Sequence, residues 1–69
     1  MVEVFKTNVQ KQRQAKQLVA VLRHYFPGSK INFDLEDCDK VLRVEATNLL
    51  PHKVISLVTQ NGFACNVLE

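Results

Sequence analysis

The chain contains only two glycines, and each stands directly after a segment that favours a helix. The first segment, Gln10 to Phe26, follows an N-cap at Thr7-Asn8, contains no Gly or Pro, and ends at Pro27-Gly28. Its apolar residues fall at the spacing of one buried helical stripe: Ala15, Leu18, Val19, Leu22 and Phe26. The second segment opens at Thr47-Asn48, has Pro51 in its first turn and ends at Asn61-Gly62. We therefore predict two helices, each closed by a glycine.

The segments outside the helices alternate apolar and polar residues, which is typical of strands with one buried face. Val2 to Lys6 predicts a first strand, and Phe63 to Leu68 predicts a last one. Residues 31–36 and 42–46 indicate a hairpin, because both alternate and turn residues join them. The order strand, helix, strand, strand, helix, strand predicts an α+β ferredoxin-like βαββαβ sandwich, in which two helices cover one face of a four-stranded antiparallel sheet.

The length of 69 residues, of which 46% are hydrophobic, allows one small core, and we predict a single domain, 1–69. The longest uninterrupted apolar run, Leu18 to Leu22, is five residues. A membrane-spanning helix needs about 20 apolar residues, so no membrane partner is expected. The first residues carry no basic stretch followed by an apolar segment and a cleavage site, and we therefore expect a cytoplasmic protein.

The two cysteines, Cys38 and Cys65, belong to no CxxC cluster. Reduced thiols are therefore expected in place of a disulfide scaffold or a structural zinc site. In the predicted topology, Cys38 lies in the turn of the hairpin and Cys65 in the last strand. These strands are opposite edges of the sheet, so the two thiols are not expected to meet within one chain.

The net charge of +2 is a small difference between two oppositely charged segments. Residues 1–30 hold six basic side chains and one acidic one, whereas residues 31–46 hold five acidic and two basic ones. We expect a molecule that is polar from end to end. The start of the first helix is a candidate site for an acidic protein surface or a small anion, because free N–H groups and the helix dipole favour negative charge there. Its residues are Asn8, Lys11, Arg13 and Lys16.

The Phe26-Pro27-Gly28 end of the first helix and the Asn61-Gly62-Phe63 end of the second resemble the heavy-metal-associated domain of copper chaperones and metal-pumping ATPases. The resemblance extends over nearly the whole chain, and it implies the same ferredoxin-like fold. In that family the first strand leads into a Gly-Met-x-Cys-x-x-Cys loop, and its two thiolates bind a soft cation.

The resemblance implies that the metal ligands are lost in this chain. Asn8 stands at the position of the family's glycine, Val9 at that of its buried methionine, and Lys11 and Gln14 at those of its two cysteines. An ammonium and a carboxamide lack the negative charge and polarisability that Cu(I) selects, and the ammonium must first lose its proton. We expect no metal and no cofactor at this loop.

Two further activities are not expected from the motifs. No nucleophile stands beside a base, and neither a Gly-x-Ser-x-Gly motif nor a Gly-rich phosphate loop occurs, so we do not expect an enzyme. The third strand offers no aromatic residue on which an RNA base could stack, so no nucleic-acid partner is expected. Phe5 is the candidate contact residue on the open face of the sheet. We expect it to lie at the edge of the core or to contact a second chain in a dimer.

The sequence favours a non-catalytic protein-interaction or regulatory module, with a protein partner that has an acidic surface. A weak homodimer is also expected, because the last strand, Phe63 to Leu68, is short and nearly uncharged at an edge of the sheet. One alternative is a metal-binding or transport protein that uses Cys38 or Cys65 across a dimer. Another is an anion-sensing module at the start of the first helix.

Overall fold

The computed structural model describes residues 1–68. The predicted domain, 1–69, includes Glu69, which lies outside the described residues. Helices and strands follow one another in the predicted order: β1 (Val2–Thr7), α1 (Gln12–Tyr25), β2 (Lys30–Asp34), β3 (Val41–Glu45), α2 (Pro51–Gln60) and β4 (Cys65–Val67).

The four strands form one sheet in the order β2-β3-β1-β4, and every neighbouring pair is antiparallel. The central strands β1 and β3 pair with Phe5 opposite Leu42. The outer strands are β2, where Asn32 lies opposite Arg43, and β4. This arrangement confirms the predicted ferredoxin-like α+β fold.

Both helices and one face of the sheet share a single hydrophobic core. Helix α1 lies against β2, helix α2 lies against β4, and the two helices contact each other. The largest fully buried side chains come from both layers and from the loop before α1: Phe5, Val9, Leu18, Leu22, Leu42, Val44, Val54 and Val58. Because successive strand residues point to opposite faces, the other face of the sheet carries exposed side chains such as Lys6 and Arg43.

The helices end as predicted but begin later. Gly28 and Gly62 follow α1 and α2 with φ of +80° and +92°, a backbone region that suits glycine. The N-cap of α1 is Lys11, and not Thr7-Asn8, because β1 continues to Thr7 and residues 8–11 cross from the sheet to the helix layer. The N-cap of α2 is Leu50, and not Thr47-Asn48, with Pro51 in the first turn as predicted.

The last strand is shorter than predicted. Strand β4 spans only Cys65–Val67, although the N–H of Leu68 still donates to the carbonyl of Val4 at 2.9 Å. Phe63 and Ala64 belong instead to the connection after α2, where the N–H of Phe63 donates to the carbonyl of Val58 at 3.3 Å. The backbone available for pairing a second chain at this edge is correspondingly short, and the homodimer stays a prediction.

Phe5 does not lie on the open face of the sheet, so this prediction is corrected. Its side chain is 0% exposed and belongs to the core cluster. The weak alternation of β1 left its face ambiguous, whereas the pairing of Phe5 with the buried Leu42 puts both side chains on the helix-covered face. Val4, which is half-buried, takes the corresponding place on the open face.

The two faces of β1 can be tested by substitution. Phe5→Ala is expected to lower the free energy of unfolding by about 3–5 kcal/mol, because the lost ring leaves a cavity. Phe5→Leu, with an expected loss of about 1–2 kcal/mol, keeps the measurement readable if the alanine variant does not fold. The control Val4→Ala should lose less than about 1 kcal/mol. Equal losses at Phe5 and Val4 in urea denaturation would contradict the assignment of faces.

Candidate functional site

Helix α1 presents exposed cations along its length. Lys11 stands at the N-cap, and Arg13, Lys16 and Arg23 follow along a helix that contains no acidic residue. Within residues 1–68, two ion pairs form, Lys6 with Asp39 at 3.7 Å and Arg43 with Glu45 at 3.9 Å, and neither involves α1. The cations of α1 therefore have no acidic partner among the residues that the structure describes.

The loop before α1 is held by hydrogen bonds that the sequence did not indicate. The side-chain oxygen of Asn8 accepts a hydrogen bond from the N–H of Ala64 at 2.8 Å, which ties this loop to the start of β4. Val9 is fully buried, as the resemblance implies, and its N–H donates to Thr7 Oγ1 at 3.3 Å. The Asn8 side chain is therefore part of the hydrogen bonding that holds the fold. The other three predicted site residues, Lys11, Arg13 and Lys16, are exposed.

Lys11 and Gln14, which the resemblance to the heavy-metal-associated domain puts at its two ligand positions, form contacts that organise the start of the helix. The Gln14 Oε1 atom accepts a hydrogen bond from the backbone N–H of Lys11 at 3.3 Å. A Lys side chain has no acceptor, so only this half of a capping box forms. The Lys11 carbonyl accepts the first helical bond, from the N–H of Ala15 at 3.0 Å.

The acidic loop between β2 and β3 is anchored to the end of β1. The N–H of Thr7 donates to the carbonyl of Asp39 at 3.0 Å, and the Thr7 hydroxyl donates to the carbonyl of Lys40. Lys40 adopts a φ of 45°, which is unusual for a non-glycine residue, and its Nζ donates to the carbonyl of Leu35 at 2.9 Å. The loop is therefore held by a hydrogen bond within itself and by hydrogen bonds to β1.

The charges do not divide the molecule from end to end, and this prediction is wrong. Strands β1 and β2 are both antiparallel to β3, so both end at the same end of the sheet. The basic start of α1 follows β1, and the acidic loop follows β2. The acidic loop and the basic start of α1 therefore lie at this same end, because the sheet order brings together parts of the chain that are separated in the sequence.

The two cysteines occupy different environments and both are free thiols. Cys38 is exposed, and its Sγ lies within 4.8 Å of carboxylate oxygens of Asp37 and Asp39. Cys65 is buried in β4, and burial raises the pKa of its thiol from 9.0 to about 11. Strands β2 and β4 are opposite edges of the sheet, as predicted.

A groove runs between α1 and the edge strand β2. It encloses about 350 Å³. Its apolar lining includes Ala15 and Val19 from α1, and Ile31 and Phe33 from β2. The cations that line it are Lys16 and Arg23. Sequence reasoning assigned the apolar residues to the core and β2 to an edge of the sheet, but it missed the groove, because how closely α1 packs on β2 depends on tertiary packing that no local pattern shows.

No family model and no curated protein matches the chain. The resemblance to the heavy-metal-associated domain, and with it the loss of metal ligands at Lys11 and Gln14, therefore stays a prediction. Among residues 1–68, no helix combines the length and the apolar character that crossing a bilayer requires.

The two thiols are expected to react with an aromatic disulfide reagent at very different rates. In the Cys65→Ala variant, Cys38 should react as fast as an exposed thiol. In the Cys38→Ser variant, the pKa of about 11 leaves Cys65 about 100-fold less thiolate at pH 8 than a thiol of pKa 9.0, and burial slows it further. Rapid labelling of Cys65 without denaturant would contradict its placement in the core.

The raised pKa of Cys65 also predicts a pH dependence of stability. Below pH 9 the thiol is neutral in both the folded and the unfolded chain, so its contribution is fully present. As pH rises from 9.0 towards 11, the unfolded chain loses this proton first, and the free energy of unfolding should fall by up to about 2–3 kcal/mol. Urea denaturation at pH 8 and pH 10.5 should show this loss, and Cys65→Ala should reduce it.

Proposed function

We propose that this chain is a non-catalytic protein-interaction module, related to the heavy-metal-associated domain but without its metal ligands. The observation that supports the proposal best is the row of exposed cations on α1, which has no acidic partner within residues 1–68. Lys11 and Gln14 support the proposed loss of metal ligands, because neither offers a thiolate and the hydrogen bond between them stabilises the start of the helix. An acidic protein surface is the partner that complements this helix.

The electrostatics of the helix start favour such a partner. Lys11 and Arg13 lie at the positive end of the helix dipole, where each cation is unfavourable by about 0.3–1 kcal/mol. No acidic residue in the first turn offsets them. A carboxylate from a partner would relieve this repulsion, and the unpaired charge would raise the rate at which an acidic partner associates.

Metal binding is a second candidate because three potential ligand atoms lie close together. The Sγ of Cys38 and carboxylate oxygens of Asp37 and Asp39 are within 4.8 Å of one another. Two of these groups have other contacts, since Asp37 Oδ1 accepts from the N–H of Asp39 at 2.8 Å and Asp39 pairs with Lys6. A second chain that shared its own Cys38 would complete the ligand set of a metal carrier.

A small anion at the start of α1 is the third candidate. Lys11 and Arg13 are exposed beside the first-turn N–H groups, which suits phosphate. The side-chain oxygen of Asn8 accepts from the N–H of Ala64, so the group of this side chain that could donate to an anion is its NH2.

One NMR experiment separates the three candidates. Poly-L-glutamate, Zn²⁺ under reducing conditions and inorganic phosphate are each titrated into the labelled protein at low salt. We expect poly-L-glutamate to shift amides along the exposed side of α1, including those of Arg13, Lys16 and Arg23. We expect this response to weaken in about 0.5 M salt, where charges are screened beyond a few Å. An oligonucleotide of equal charge serves as the control.

The other outcomes each contradict the proposal. If poly-L-glutamate shifts no amide of α1, or if the oligonucleotide binds more tightly than poly-L-glutamate, the proposal of an acidic protein partner is overturned. A Zn²⁺ response at residues 37–39 that disappears in Cys38→Ser selects the metal carrier. A phosphate response confined to residues 9–13 selects the anion sensor. Calorimetry with Cu(I) adds one test, because tight one-to-one binding that survives Cys38→Ser and Cys65→Ser would contradict the loss of ligands.

A further inference from the structure

Strand β2 has backbone groups that face outward from the sheet. Met1 and Ala46 exchange two backbone hydrogen bonds, of 2.9 and 3.0 Å, across the pair formed by β1 and β3. In an antiparallel pair, such hydrogen-bonded positions alternate with positions that are not hydrogen-bonded to each other. The backbone N–H and C=O groups of Leu42 and Val44 in β3 therefore also bond to β1. The intervening residues of β3, among them Arg43, must bond in the opposite direction, towards β2.

This alternation decides which residues of β2 direct their backbone N–H and C=O groups to the open edge of the sheet. Asn32 lies opposite Arg43, so its N–H and C=O face β3. Ile31 and Phe33, on either side of it, direct their N–H and C=O away from the sheet. No turn or loop hydrogen bond within residues 1–68 reaches the backbone of these two residues. The edge therefore offers two donors and two acceptors to an added strand.

The groove beside this edge lies where the side chains of an added strand would point. Ile31 and Phe33 direct their side chains to the helix-covered face, and they line the groove together with Ala15 and Val19. Residues of an added strand that lie opposite Ile31 and Phe33 point to the same face. The volume of about 350 Å³ is near the lower limit of ligand pockets, which suits a few side chains and not a globular surface.

The charges around the groove indicate what kind of strand fits. Lys16 and Arg23 line the groove, no acidic residue does, and neither cation has an ion pair within residues 1–68. A segment with acidic residues beside its apolar ones matches this lining. A second copy of the chain matches it poorly, because a two-fold pairing of β2 edges brings Lys16 and Arg23 of both copies to one seam, and α1 supplies no carboxylate.

We propose that an extended acidic and apolar segment of a partner protein adds to β2 as a fifth strand and places two apolar side chains in the groove. The backbone of Ile31 and Phe33 pairs with this segment, and Lys16 and Arg23 bind its carboxylates. This mode of recognition gives affinity through main-chain hydrogen bonds and specificity through alternate side chains. The inference rests on the proposed function, since it names the surface and the class of partner.

A short synthetic peptide tests the site. The probe is a terminally blocked heptapeptide in which two valines, two residues apart, are flanked by glutamates. Fluorescence polarisation should show that it binds the protein, and hydrogen exchange should slow by about tenfold or more at the amides of Ile31 and Phe33. The same peptide with N-methylated backbone nitrogens at both valines and at the residue between them should not bind, because it has lost the donors that pair with the strand edge.

Charge reversal on the two helices supplies matched variants. Lys16→Glu and Arg23→Glu should each weaken binding of the probe by about fivefold, because each replaces an attraction with a repulsion. Lys53→Glu changes the net charge equally and lies on α2, outside the groove, and it should weaken binding by less than about twofold. All three positions are exposed, so the variants are expected to fold.

The outcomes separate this inference from the proposed function. If poly-L-glutamate binds α1 but the heptapeptide fails to bind, or if Lys53→Glu weakens binding of the heptapeptide as much as Lys16→Glu does, the strand site is overturned and the acidic partner stands. If neither ligand binds, both proposals fall. Protection of the Ile31 and Phe33 amides without peptide, together with a dimer in light scattering, would show that a second copy occupies the edge and would overturn the proposal.

Discussion

The pairing of β1 with β3 at the centre of the sheet is the interaction on which the rest of the structure depends. It sets Phe5 beside Leu42, two fully buried side chains that come from distant parts of the chain. In a domain this small, each such side chain contributes about 1.5–3 kcal/mol of apolar burial. The same pairing leaves β2 and β4 as the two edges, and so decides which backbone remains available to a partner.

The loops at one end of the sheet are fastened by side chains that follow from this pairing. Thr7, at the end of β1, accepts the N–H of Val9 and donates to the loop before β3, while Asn8 accepts the N–H of Ala64. These contacts join the starts of α1, β3 and β4. The backbone at the basic start of α1 is therefore held by hydrogen bonds, and this lowers the conformational entropy that it loses when a partner binds.

The proposed function and the proposed strand site depend on two different properties of the same helix. Its exposed face carries cations that have no acidic partner among the described residues 1–68, which gives long-range attraction but little selectivity. Its side towards β2 forms a groove beside the backbone of Ile31 and Phe33, which no other part of the described chain pairs, and this arrangement gives short-range selection of an extended segment. Lys16 and Arg23 belong to both surfaces, and so they connect the electrostatic attraction to the site of strand addition.

The sequence by itself determined the order of elements, the fold class and the ends of the helices, because apolar periodicity and the glycines after each helix are local signals. It also identified Lys11, Arg13 and Lys16 as exposed basic residues. Only the tertiary structure decided the face of Phe5, the structural role of Asn8, the common end of the acidic loop and the basic start of α1, and the groove beside β2. These features arise from strand order and register, which pair residues far apart in the chain, and no local pattern specifies such pairings.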